Sequence, residues 1–273
     1  MDILDLGVIE GRVLLFGGPY SNLAALEAVM ARAGALGVPS GRCICTGDVV
    51  AYGAEPADCV ALVRRAGMPV VAGNVERQLG AYGDHCGCGF AAGSTCDLLS
   101  AGWFAHADAA IGAQDRAWMA ALPDMITFEQ AGRRLAVIHG GATDVSRFLW
   151  PVSDEAEFAA EVAAIQAAAG PVDAVVSGHC GVDFMRRVAG VEWINAGVIG
   201  LPPNDGTPQT RFAILDGGQA RIEALDYDHA RAARAMRAAG LVQGYERALE
   251  TGFWPSEEVL PCVLRRSASS ASG

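Results

Sequence analysis

The order of secondary-structure signals predicts an α/β chain in which two β-sheets pack face to face with helices outside. Two features carry this expectation. In the first part of the chain, short apolar runs alternate with helical periodicity, which implies parallel strands joined by crossover helices. The second part is rich in strand signals instead. The pattern runs without a linker from near residue 12 to near residue 252, so residues 1–266 read as one domain and the small, polar residues 267–273 as a disordered tail.

The first element is the apolar run Arg12–Phe16, a buried strand closed by Gly17-Gly18-Pro19. Asn22 then caps a helical segment from Leu23 to Met30 that ends toward Gly34 and Gly37. The unit repeats: a strand at Cys43–Thr46, a helix over Glu55–Arg65, a strand at Pro69–Ala72 and a helix over Val75–Tyr82. Residues 83–113, rich in glycine and cysteine, predict a partly irregular excursion with short helices. A helix follows at Gln114–Ala121, then strands at Met125–Glu129 and Arg134–Ile138. An acidic first turn and Gly170 delimit a helix over Asp154–Ala169. Strands are expected at Ala174–Ser177, Val182–Val188, Glu192–Ile194, Thr210–Asp216 and Gln219–Leu225, the last two as a hairpin through Gly217-Gly218. Helices close the pattern at His229–Ala239 and Tyr245–Glu250.

With 273 residues, 52% of them hydrophobic, 34 glycines and a mean hydropathy of +0.26, the chain can bury a large core and still turn tightly. No apolar run reaches the roughly 18 residues that a membrane span needs. Asp2, Asp5 and Glu10 stand where a signal peptide would carry positive charge, which argues for the cytoplasm. A net charge of −11 with dispersed basic residues argues against a nucleic-acid polymer as partner. In that compartment the eight cysteines are expected to be reduced, serving packing or metal binding; Cys43 and Cys45, alternating in an apolar run, read as packing.

Reactive groups in open α/β sheets gather just beyond the carboxyl ends of strands. Four polar residues stand at such places: Asp48 in Thr46-Gly47-Asp48, Asn74 in Ala72-Gly73-Asn74, His139 in Ile138-His139-Gly140-Gly141, and His179 in Ser177-Gly178-His179. Any one of them alone would be an ordinary turn residue. Together, one carboxylate, one amide oxygen and two imidazoles make a ligand set for a divalent Mn, Fe, Co or Zn ion.

These loops, with Asn22–Val29, Gly47–Gly53, Asn195–Pro202 and Tyr227-Asp228, resemble the calcineurin-like metallophosphoesterases, in the small bacterial branch of phosphodiesterases and diadenosine-tetraphosphatase-like proteins. The resemblance covers most of the chain and implies a four-layer αββα sandwich with a two-metal site at one edge of the paired sheets. By that resemblance Asp48 matches the residue that bridges two metals, and Asn74, His139 and His179 match the rest of the second metal's shell. The other half departs: Gly18-Pro19-Tyr20 stands where Asp-x-His is expected, Gly181 where the last histidine is expected, and Val75 where a proton-donating histidine is expected. The expectation is therefore one divalent ion, without the ligands for a second, and hydrolysis weakened by the loss of a cation and of a general acid.

Tyr20, at the position of a lost ligand, is a poor metal ligand near neutral pH but a good donor to phosphate, so it is a candidate substrate-binding residue. Asp84-His85-Cys86-Gly87-Cys88 with Cys96 could hold a metal or be a loop of reduced thiols, and Cys180 could be a ligand or a core residue. His106 and His229 read as surface or capping residues. The leading expectation is a metal-dependent phosphoesterase or phosphodiesterase acting on a small phosphorylated or nucleotide-like molecule. Two alternatives stand beside it: a catalytically silent relative that binds a ligand or partner, and a thiol-metal protein that rebuilds the missing half-site from Cys86, Cys88, Cys96 or Cys180.

Overall fold

The computed structural model describes residues 1–266; the tail expected at 267–273 lies outside the described residues. Two mixed sheets form the centre. The six-stranded sheet has the order β1-β4-β5-β6-β8-β7, from β1 (Ile3–Val8), β4 (Met125–Gln130), β5 (Arg133–Val137), β6 (Ala174–Ser177), β7 (Phe184–Val188) and β8 (Val191–Asn195). The four-stranded sheet has the order β10-β9-β2-β3, from β2 (Val13–Phe16), β3 (Cys43–Cys45), β9 (Thr210–Asp216) and β10 (Gln219–Leu225). Within them β2 runs parallel to β3 and antiparallel to β9, while β6 lies between two parallel neighbours, β5 and β8.

Side-chain alternation along each strand sorts the core into three layers. Val13, Leu15, Ile44, Ala213 and Leu215 of one sheet meet Ile126, Phe128, Leu135, Val137 and Ile194 of the other in a seam between the sheets. The alternate residues Leu14, Phe16, Cys43, Cys45, Phe212 and Ile214 face outward, against helices α1 (Leu23–Ala35), α2 (Pro56–Ala66), α3 (Asn74–Gly80), α4 (Thr95–Ala110), α5 (Ala113–Ala120), α7 (His229–Ala238) and α8 (Tyr245–Thr251). On the far side Met125, Ala136, Val175 and Trp193 pack on Phe158, Val162 and Ile165 of α6 (Glu155–Ala169). The four-layer sandwich is therefore present, with Cys43 and Cys45 serving as packing residues. No helix among the described residues is long and apolar enough to cross a membrane.

Local chemistry sets the helix starts as the sequence indicates. The Asn22 side chain accepts from Ala25 N at 3.1 Å, and Asp154 with Glu157 forms a capping box on α6. Three elements differ from expectation. Strand β1 lies before the first expected element; Asp5 and Gly7 break its apolar pattern, and as an edge strand it leaves Val8 exposed. Residues 69–72 reduce to one bridge, Val70 beside Cys45, because Pro69 has no N–H to donate to a ladder. Residues 83–94 are irregular, as expected, but residues 95–110 form one long helix rather than short ones: α4 buries Cys96, Ser100, Trp103, Phe104 and Ala107 at helical spacing, and Ser94 Oγ accepts from Asp97 N at its start.

Candidate metal centre

Each of the four residues singled out in the sequence sits just beyond a strand or bridge, and the fold brings them together. Asp48 follows β3, Asn74 opens α3 after the Val70 bridge, His139 follows β5 and His179 follows β6. All four are buried. His139 Nε2 is the meeting point: Asn74 Oδ1 lies 3.0 Å away, His179 Nδ1 3.0 Å and Asp48 Oδ2 3.4 Å. The ligand atoms of Asp48, His139 and His179 all lie within 4.8 Å of one another, the only such His/Cys/Asp/Glu group among the described residues.

The surrounding hydrogen bonds decide which atoms face inward. His139 Nδ1 stands 2.6 Å from Thr46 O, which can only accept, so Nδ1 carries a proton and Nε2 faces the cluster. Asn74 Nδ2 donates to Cys86 O at 2.9 Å and toward Cys88 Sγ at 3.4 Å, which turns Oδ1 inward. Asp48 Oδ1 accepts from Val75 N at 3.3 Å, leaving Oδ2 for the cluster. The inward atoms are thus ones that can each offer a lone pair, an arrangement that attracts positive charge.

The titration directions agree. Burial pushes Asp48 up, but the His139 and His179 imidazoles outweigh it and hold its carboxyl below the usual range. Burial works against charge on His139 as well, and Asp48 reverses the balance, leaving it raised. His179, buried and beside His139, is driven down to about 3, so it stays neutral; its Nε2 is buried with no partner among the described residues.

Sequence reading missed Glu76, which is fully buried behind Asp48. Its carboxylate accepts from Asp48 N at 2.7 Å, Gly73 N at 2.9 Å and Val50 N at 3.4 Å, tying the two ligand loops together. Asp48 and His179 both occupy the left-handed region, with φ of 53° and 63°, strain of roughly 1–3 kcal/mol each that the packing must offset.

Residues 21–219 match the sequence profile of the calcineurin-like phosphoesterase superfamily domain. The chain belongs to that superfamily. Its fold is similar to the crystal structure of a metallophosphoesterase from Sphaerobacter thermophilus, at 22% identity and a TM-score of 0.68 over 89% of this chain and 100% of that one. It is also similar to a hypothetical protein from Pyrococcus horikoshii OT3, at 14% identity and a TM-score of 0.72 over 89% of this chain and 99% of that one. A comparison with curated proteins finds no match.

Members of the calcineurin-like superfamily use divalent metals, and the donor set around His139 fits one. Aromatic rings stand beside Gly18 and Gly181. A side chain on Gly18 would collide with the Tyr20 ring, and a Cβ on Gly181 would meet the Trp254 ring at 3.1 Å. Tyr20 is buried and lines the cleft beside Asp48 and His179. The thiols do not rebuild a half-site. The Cys86 and Cys88 sulfurs lie side by side, outside the converging group, and His85 is exposed with Nδ1 accepting from Gly87 N at 3.0 Å. Cys180 Sγ donates to Val182 O at 3.4 Å and accepts from Asn195 Nδ2 at 3.2 Å, and burial pushes its thiol up to about 12.

Proposed function

We propose that the chain is a phosphoesterase of phosphodiesterase type that works with one divalent transition metal, Mn, Fe, Co or Zn, held by Asp48, Asn74, His139 and His179. The observation that carries this reading is the convergence of Asn74 Oδ1, His179 Nδ1 and Asp48 Oδ2 on His139 Nε2. A divalent ion at this point would supply positive charge to a phosphoryl oxygen and lower the pKa of water. The chain's own groups do the rest. Thr46 O fixes the His139 tautomer, and Glu76 holds the Asp48 loop. Burial first, and Asp48 second, raise the Tyr20 phenol well above its usual range, so Tyr20 stays a proton-bearing donor suited to a phosphate oxygen rather than a ligand.

With rings at Gly18 and Gly181 and no proton on the Val75 side chain, the second cation and the general acid are both missing in this reading. Losing a general acid alone costs roughly 10²–10⁴ in rate, so hydrolysis of generic diesters such as bis-p-nitrophenyl phosphate is expected to be slow. The same filled positions support a second reading, a catalytically silent relative that binds its ligand without turnover. Elemental analysis of chain purified without chelator or affinity metal tests the centre: about one ion per chain is expected, and none in His139→Ala. Two ions per chain, or an ion that survives His139→Ala, would refute the assignment. Turnover that disappears in His179→Ala separates the first reading from the second.

A further inference from the structure

We propose that the cleft beside the metal centre binds the planar aromatic group of a phosphodiester monoanion and discriminates against phosphomonoester dianions. The inference rests on the reading above and adds to it the class of substrate.

The cleft opens beside Asp48 and His179 and is walled by aromatic rings. Phe148 lies over His179 with ring centres 4.3 Å apart, and it is stacked with Trp150 on one side and Phe90 on the other. Trp254 covers Gly181, its indole fixed by a 2.7 Å bond from Nε1 to Pro202 O. Toward the interior, Tyr52 has Tyr20 at 4.8 Å and Tyr245 at 4.5 Å between ring centres. None of these three phenols makes a hydrogen bond to another described residue, yet each borders the cleft. Ring faces and free hydroxyls of this kind suit a flat, largely apolar group with polar edges.

Charge narrows the class further. The chain contains no lysine, and no arginine borders the cleft. Apart from Asp48 and His179, the side chains that border it are aromatic, aliphatic, hydroxyl and thiol groups. A phosphate entering here therefore meets the dication and the Asp48 carboxylate and no other full charge on the walls. The dication, Asp48 and a singly charged diester sum to zero. A monoester dianion would leave one negative charge uncompensated in a poorly solvated cleft.

The test is calorimetric titration of the Mn²⁺-loaded full chain at about pH 8 with diphenyl phosphate, dimethyl phosphate and phenyl phosphate. These are a monoanion with rings, a monoanion without and a dianion with one ring. Diphenyl phosphate is expected to bind about tenfold or more tightly than either of the others, as a stacked ring is worth that much. Trp254→Leu and Phe90→Leu should each remove most of that advantage while leaving Mn²⁺ binding and the melting temperature close to wild type. Two variants guard against one that simply unsettles the fold. Equal binding of diphenyl and dimethyl phosphate would overturn the aromatic site, and tightest binding of phenyl phosphate would overturn the charge selection. An unchanged ranking in both folded variants would place the ligand elsewhere. If Mn²⁺ itself fails to bind, the metal reading falls, and Trp254-dependent binding of diphenyl phosphate by the metal-free chain would show that the cleft assignment survives it.

Discussion

Glu76 and the four candidate ligands differ in how visible they are in the sequence, and the difference has a physical cause. Asp48, Asn74, His139 and His179 each stand within two or three residues of the end of an apolar run, where a polar side chain has no packing role, so their position alone marks them. Glu76 lies in the first turn of α3, where an acidic residue is ordinary because of the helix dipole. Its burial and its three backbone partners follow from loops far apart in sequence and could not be read. Removing the carboxylate would strand the N–H groups of Asp48 and Gly73 in the interior. Glu76→Ala is therefore expected to cost about 2–6 kcal/mol in urea unfolding, at roughly 1–3 kcal/mol per stranded donor, with Glu76→Gln milder because one oxygen remains.

At the level of elements, strands with continuous apolar runs and helices with side-chain caps were legible; β1, the residues around Val70 and α4 were not. For α4 the information was present, since Ser94 and Asp97 form a cap and Cys96, Ser100, Trp103, Phe104 and Ala107 keep helical spacing. Glycines and cysteines around it hid the period. Ser94→Ala is expected to cost about 1 kcal/mol, measured by thermal or urea unfolding. The segment that carries Trp254 has its own anchor. Glu257 accepts from Asn204 Nδ2 at 2.8 Å, from Arg266 Nε at 2.6 Å and from Arg266 N at 3.0 Å. Burial pushes Glu257 up, but Asn204 and Arg266 outweigh it, so its folded pKa lies below the ordinary value. The sign follows: this contribution is complete above the unfolded carboxylate value of about 4.3 and fades as pH falls through the lower folded value. Glu257→Gln should accordingly flatten the acid side of a plot of melting temperature against pH, and leave the neutral side nearly level.

For the whole molecule, the sandwich was legible because strand order and apolar alternation constrain which faces must be buried, whereas sheet membership was not. The chain passes between sheets three times, from β1 to β2, from β3 to β4 and from β8 to β9. The candidate metal ligands come from both sheets, Asp48 from one and His139 and His179 from the other. Saturating Mn²⁺, at about a hundred times its Kd, should therefore stabilise the entire fold by about 2.7 kcal/mol, and His139→Ala should abolish that shift in melting temperature. Phe128→Ala, which empties part of the seam, is expected to cost about 3–5 kcal/mol. The pairing of β2 with β9, Val13 opposite Leu215, also bears on synthesis. A ribosome releases β2 and β3 early, but the strand that covers the open edge of β2 emerges only some two hundred residues later. Until then the nascent chain carries an unpaired apolar edge, so this sheet closes late, and chains stalled before β9 are the ones a chaperone would have to hold.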